Sequence, residues 1–366
     1  MNFVFLIPVL LLPLYYLEIL GLRILPLITL LPVAMLAIRS LSYRLYFDAF
    51  TLASFFLLCL TALLSLLSLS SDVFFAALIF FGLIFSSNFI KSEGIGCLLL
   101  RVEAYYIFSA LVMSLGVVFQ LLLFKYFDLR FGMIGEYSNR IGFAFTWSDY
   151  SFLSLFIASA VPFAVNLKLK LKAFILPVLL LGTLVTSART GMFSLLVFYM
   201  GLALLKTFWD LTRLRLKKSY ALIFMILSIL FSLGCYLAVY NSSRLLNLDG
   251  SGRIDGYIDA IYSIWDKPFF GFMFDIDLYV LLVGALPHNV FLYILAMTGV
   301  VGVFVFNIWL FLLLHRSNFV SNSFSHATYI CCIGAQLIPS VYSMYFFAIL
   351  ISCINLSCRS KVSLVK

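Results

Sequence analysis

Residues 287–302 read PHNVFLYILAMTGVVG, and from Val290 to Leu314 no charged side chain interrupts the apolar run that follows. About 20 consecutive apolar residues cross the hydrocarbon of a bilayer as a helix, so this stretch marks the doorway of a membrane helix. Asn289 is a residue type that caps helix N-termini. It leaves His288, one of only 3 histidines, just outside the helix and held by Pro287.

The rest of the chain has the same character. Its 366 residues are 64% hydrophobic and 11% charged, with a mean hydropathy of +1.15. A soluble domain with so few polar residues could not cover its surface. The expected fold class is therefore an all-α polytopic membrane protein, one integral membrane domain over residues 1–366. About twelve transmembrane helices are expected, near 3–20, 22–38, 47–68, 72–90, 103–124, 149–167, 173–187, 190–207, 220–240, 289–314, 326–338 and 341–357. The last two share one apolar run divided at Pro339-Ser340, so eleven is the alternative count. The first segment lacks a basic leader and a small-residue cleavage site, and is read as an uncleaved span. Seven cysteines (59, 97, 235, 331, 332, 353, 358) lie in or beside apolar runs without a CxxC pair. They read as packing residues, not as disulfides or a zinc site.

The net charge of +9 is a matter of topology rather than nucleic-acid binding. With both termini cytoplasmic, sixteen lysines and arginines fall inside against four acidic residues, which satisfies the positive-inside rule. The outer face then receives a smaller loop, 125–148, and a large loop, 241–288. Connections of this length are usually functional.

Within the large loop, SGRIDGYIDAIYSIWDKPFFGF (251–272) reads as a short amphipathic helix. Ser251 is its candidate cap, and Lys267-Pro268 ends it. Ile254, Tyr257, Ile258, Ile261 and Trp265 recur at helical spacing and are expected on the membrane face. Arg253 lies in the first turn, and Asp255 and Asp259 share a face that either serves a substrate or simply meets water. TSARTG (186–191) turns between two spans and puts Arg189 at the outer N-terminus of a helix. A cation there opposes the helix dipole. A bound phosphate would resolve the conflict, since backbone N–H groups and guanidinium then converge on one anion; the alternative is snorkelling to lipid headgroups. In the smaller loop Arg130 and Arg140 are candidates for anion contact, Arg140 the better because RIGFAF (140–145) adjoins the sixth span. His288 suits proton transfer near neutral pH or donation to phosphate, and a structural role at the helix entrance stays open. The soluble-enzyme signatures GxxxxGK[ST], HExxH and GxSxG do not occur. No metal and no D-x-D-type ion site is expected in the outer loops, so phosphate charge would fall to arginine.

Three stretches together, TSARTG, SGRIDGYIDAIYSIWDKPFFGF and PHNVFLYILAMTGVVG, resemble in order, spacing and membrane side the O-antigen ligase/polymerase superfamily of bacterial inner membranes. The resemblance covers roughly residues 135 to 310. Ala188-Arg189-Thr190 departs from the family's Ser-Arg-Gly pattern, and Ser148-Asp149 stands where Pro-Asn is frequent. The resemblance implies a metal-independent and cofactor-free glycosyltransferase of GT-C-type architecture, acting on the periplasmic face. Its donor would be an oligosaccharide on undecaprenyl pyrophosphate. Arg189, Arg253 and Arg140 would hold the pyrophosphate, with Arg130, Asn289 and Asp255 as further substrate contacts. His288 would orient or deprotonate the acceptor, or bind the leaving group. The implied partners are the lipid-linked donor, the bilayer and a chain-length regulator, with no nucleic acid. A repeat-unit polymerase is favoured by the short chain, the modest outer loops and the 40 phenylalanines. The alternatives are a ligase acting on lipid A-core and a lipid-linked oligosaccharide flippase. A flippase would be expected to carry charge at the membrane midplane.

Overall fold

The computed structural model describes residues 2–14, 18–19, 22–23, 48–90, 95–137, 140–212, 253–317 and 322–365. The chain runs α1 (Asn2–Leu10), a 3-10 turn (Leu12–Leu14), a small hairpin of β1 (Glu18–Ile19) and β2 (Leu22–Arg23), α2 (Ala49–Leu67), α3 (Ser71–Ser86) and α4 (Ile95–Phe127). A second hairpin, β3 (Met133–Tyr137) with β4 (Arg140–Phe145), leads to α5 (Tyr150–Val165), α6 (Leu169–Val185) and α7 (Arg189–Thr212). After residues outside the description come α8 (Arg253–Asp266), α9 (Ile276–Leu282), α10 (Val290–Ser317), α11 (Asn322–Gly334) and α12 (Tyr345–Val365).

Among the described residues, 4 helices are long and apolar enough to cross a membrane: α2, α4, Arg189–Lys206 of α7, and α10. α3, α5 and Tyr345–Arg359 of α12 are apolar but shorter. Helices of this kind fit a membrane-embedded, predominantly helical protein. They carry large apolar side chains outward, among them Phe56 on α2, Phe119 on α4 and Phe304 and Phe311 on α10. Buried polar side chains pair across the interior, where no water competes; among the described residues the Tyr199 and Tyr279 hydroxyls and Thr328 Oγ1 are the exceptions. Trp309 Nε1 donates to Ser54 Oγ at 2.9 Å, and Thr61 Oγ1 donates to the Tyr342 hydroxyl at 3.0 Å.

Several expected boundaries change. Residues 3–20 are not one helix, because α1 stops at Leu10 ahead of Pro13. Proline cannot continue the ladder, and the carbonyls left over are taken by side chains. Trp147 Nε1 donates to Leu12 O at 3.0 Å, and Thr146 Oγ1 donates to Pro13 O. The expected span 22–38 opens with β2 and otherwise lies outside the described residues, as does 220–240. At 338–344 the chain leaves helical geometry between α11 and α12, so the break at Pro339-Ser340 is present. The smaller loop contains more order than a connection needs. β3 and β4 pair antiparallel, and buried Gln120 of α4 anchors them through Oε1, which accepts from Phe145 N at 2.9 Å, and Nε2, which donates to Met133 O at 3.0 Å. The large loop likewise gains α9, which its sequence did not announce.

α10 is broken. Gly299 sits at φ 64° and ψ −164° in the middle of the helix. The segment after α8 fills the gap. Phe272 N donates to Ala296 O at 2.8 Å, Val300 N to Pro268 O at 2.9 Å and Val301 N to Phe269 O at 3.4 Å. Unsatisfied backbone groups in an apolar setting cost several kcal/mol each, roughly. A break here is tolerated because another piece of the chain supplies the missing partners. The loop segment is held in turn by the α2–α3 turn, where Ser70 Oγ donates to Phe274 O at 2.9 Å.

The two ends of the bundle differ in kind. At one end the Arg316 guanidinium, near the close of α10, pairs with Asp48 and Asn355 and lies 4.8 Å from the centre of the Phe50 ring. Asn355 also donates to Ser87 Oγ and Asn88 Oδ1 at 2.8 Å each, which ties α12 to the end of α3. At the opposite end, α5, α7 and α10 begin.

Candidate functional site

The site assembles where those three helices start. Asp149 caps α5, its Oδ1 accepting from Ser151 N at 2.6 Å and Phe152 N at 3.1 Å. Asn289 caps α10 in the same manner, Oδ1 accepting from Phe291 N at 2.9 Å and Leu292 N at 3.2 Å. Its amide then donates to Gln336, to both the backbone and the side-chain oxygen at 3.3 Å, which joins the start of α10 to the end of α11. Capping fixes both residues and leaves His288 exposed beside buried Pro287.

α7 starts at Arg189 after a left-handed residue, Ser187 at φ 59°. Its first turn lies hard against α5. Gly191 N donates to Ser154 Oγ at 3.2 Å, and a Cβ on Gly191 would stand 2.3 Å from Ser154 O. Only glycine permits that approach. It holds the turn that opens with exposed Arg189 against Ser154 of α5, with Thr190 buried.

α8 packs on α10 and buries Gly256, Ala260 and Ser263, small residues at helical spacing, with the Cβ position of Gly256 3.5 Å from Ala285 O. Ile258, Ile261, Tyr262 and Trp265 point away from the bundle and are exposed. Tyr257 departs from the expectation that it faces the membrane with them. It is half-buried, and its hydroxyl donates to the His288 backbone carbonyl at 3.0 Å. The residue adjoins the buried side of α8, so packing captures it. The helix thereby holds the His288 backbone from one side while the Asn289 cap holds it from the other.

Asp149 and His288 interact electrostatically. Burial raises the Asp149 carboxyl above its ordinary range; the two cap bonds and the His288 imidazole pull it back, and burial prevails. Farther along the same loop, burial pushes the Tyr279 hydroxyl up to about 12, and Asp259 adds to that.

The other residues expected at the site separate into groups. Arg253 and Asp255 begin α8, the helix that grips His288. Arg140 opens β4, two residues before Gly142, whose Cβ position lies 3.3 Å from the Tyr150 ring at the start of α5. Arg130 stands in a different setting, an exposed ion pair with Glu136 at 2.8 Å. The candidate cap Ser251 lies outside the described residues. One D-x-D sequence does occur in the large loop, contrary to expectation: Asp275-Ile276-Asp277. Asp275 uses Oδ1 to cap α9, accepting from Leu278 N at 2.9 Å, and Asp277 is exposed. Among the described residues no three His, Cys, Asp or Glu side chains converge to hold an ion.

No protein-family model matches this chain, and no curated protein matches it. The site therefore stands on its own geometry. Asp149, Tyr257 and Gln336 are the members that sequence reasoning did not select. Asp149 had a signal, an acidic residue immediately before an apolar run, which is a helix-start pattern. Gln336 and the Tyr257 hydroxyl had none, because their partners are 47 and 31 residues away.

Proposed function

We propose that the chain is a membrane-embedded glycosyltransferase that polymerises undecaprenyl-pyrophosphate-linked oligosaccharide repeats on the periplasmic face of a bacterial inner membrane. The observation that carries this reading is that His288, ahead of the capped start of α10, interacts with Asp149 at the capped start of α5, the helix on which the turn opened by Arg189 packs. Helix N-termini with a guanidinium among them favour an anion such as pyrophosphate. A neighbouring imidazole supplies a group able to take a proton near neutral pH.

In this reading the acceptor hydroxyl oxygen forms a bond to the anomeric carbon of the donor. The bond from that carbon to the pyrophosphate oxygen breaks, and the electron pair leaves with the lipid pyrophosphate. Arg189, with Arg253 and Arg140, offsets the charge that grows on the leaving group. His288 receives the hydroxyl proton. The outward apolar face of α8 suits contact with lipid, where the donor's polyprenyl chain resides.

Deletion of the gene followed by electrophoresis of the cell's lipopolysaccharide tests the proposal. Core bearing a single repeat is the expected product. Bare core with accumulated lipid-linked polymer would instead assign ligation, and repeats stranded on the cytoplasmic leaflet would assign transport. A wild-type ladder sinks all three.

A further inference from the structure

The β3–β4 hairpin is fastened to α4 well short of the end of that helix. From Ala104 to Phe124 α4 carries no charged residue, with Glu103 before the stretch and Lys125 after it. At about 1.5 Å per residue the stretch rises roughly 30 Å, the thickness of bilayer hydrocarbon. Lys125 therefore marks one boundary of the apolar layer. Buried Gln120 lies about 7 Å inside that boundary. Its side chain nonetheless holds three backbone groups at the base of the hairpin. Nε2 donates to Phe131 O and, at 3.0 Å, to Met133 O, while Oε1 accepts from Phe145 N at 2.9 Å. The Phe145 ring reaches deeper, to within 2.5 Å of the Cβ position of Gly116, which is about 13 Å inside Lys125. Phe143 packs edge-on against Phe124 with ring centres 5.9 Å apart.

Polarity along the hairpin follows the same depth. At its base Phe131 and Met133 are 50% and 44% exposed, and they continue the outward apolar surface of α4, where Phe119 and Leu122 are exposed as well. Tyr126 and Phe127 are exposed just past Lys125, the level at which aromatic rings collect in membranes. The charged pair of the hairpin, Arg130 with Glu136, draws toward the tip, since Glu136 is the last residue but one of β3. An arginine stem lies along apolar surface while its head reaches polar surroundings. In water the base would present an apolar patch at a cost, and its backbone groups would need no pin. At hydrocarbon depth each of them needs a partner within the protein, which is what the Gln120 amide supplies.

We propose that the β3–β4 hairpin is a re-entrant membrane element whose base sits below the headgroup plane, with Phe131 and Met133 in contact with phospholipid acyl chains. The occupant of this surface is the bilayer itself, because the patch is continuous with the lipid-facing side of α4. The smaller loop is then an anchor dipped into one leaflet rather than a connection standing free in water, and this holds whether or not the chain transfers sugar.

The test places p-benzoylphenylalanine, a photoreactive analogue of phenylalanine, at position 131 of the full-length chain in vesicles of phosphatidylethanolamine and phosphatidylglycerol. After irradiation, intact-protein mass spectrometry should show a gain of one phospholipid. The yield should match that of the same probe at lipid-facing Phe119 and exceed several-fold that of the probe at Glu136. A probe at Met133 should repeat the result. Gln120→Leu removes the pin and should lower the lipid adduct at position 131 several-fold while leaving that at Phe119 unchanged. If that variant does not accumulate, the Phe131 and Met133 probes in the otherwise unaltered chain decide the matter. Lipid adducts at 131 and 133 no more frequent than at 136 would overturn the proposal. So would crosslinks from both positions, in native membranes, to a second copy or another polypeptide in place of lipid.

Discussion

Gly271 and Gly299 are pressed backbone to backbone. A Cβ on Gly271 would lie 2.3 Å from Ala296 O, and one on Gly299 would lie 2.4 Å from the Phe269 carbonyl carbon. Both glycines also have positive φ, 57° and 64°. The contact locks the segment after α8 into the break of α10, so the helix that grips His288 and the helix that His288 introduces are one mechanical unit.

Gly299→Ala is accordingly expected to be among the most damaging small substitutions in the chain. Backbone strain alone costs about 1–3 kcal/mol, and the collision adds to it. The variant should lose detergent melting temperature sharply or fail to accumulate in membranes. Gly201→Ala is the control, because nothing lies within 4 Å of its Cβ position. Equal stability of the two variants would contradict the interlocked arrangement.

Asn289 offers a finer test, since its oxygen caps α10 and its amide reaches Gln336. Asn289→Ala removes both contacts and should cost about 1 kcal/mol for the cap alone. Asn289→Asp keeps the cap but loses the donor to Gln336, so its melting temperature should fall between those of Asn289→Ala and the parent. A ranking with Asn289→Asp at or below Asn289→Ala would show that Gln336 matters more than the cap.

Arg130→Ala should change little. Its partner Glu136 is solvent-exposed, and exposed ion pairs contribute about 0–1 kcal/mol. The product ladder should stay intact, whereas Arg189→Ala and Arg253→Ala should erase long chains while protein still accumulates. A ladder lost with Arg130→Ala would return that residue to the anion site.

The Asp149 carboxyl gives a pH dependence of stability with a definite sign. Its folded value is raised above the ordinary 3.8, so between the two values the folded chain holds more of the proton than the unfolded chain does. Stability from this group is therefore lost as pH rises through that window and is constant above it. Asp149→Asn removes the titration. Relative to the parent, its melting temperature should rise from acidic pH upward and then level. A parent that gains stability over Asp149→Asn as pH rises would reverse the assignment.

Much of this was legible in the sequence. The uninterrupted apolar run after Asn289 announces a membrane helix, and the Asn289 cap follows from residue type and position. The Thr186–Ala188 turn, the division at Pro339 and the helix opening at Arg253 are likewise local signals of turn and helix chemistry. The first segment was misread because hydropathy sees α1 and the 3-10 turn as one apolar run. Pro13 and the side chains of Thr146 and Trp147 decide otherwise, and those partners are 133 and 135 residues distant.

By itself, the sequence determined that the protein is helical and membrane-embedded, where several helices start, and which arginines and histidine break the apolar pattern. Each of those properties depends on neighbours within a few turns of chain. Tertiary structure alone decided that the His288 imidazole acts on the Asp149 carboxyl, that Tyr257 turns from lipid to grip a backbone carbonyl, and that Arg130 sits in an exposed pair with Glu136. It also decided that Gly299 breaks α10, because a non-helical residue in an apolar helix survives only where a distant segment, here Pro268–Phe272, satisfies the backbone groups it frees.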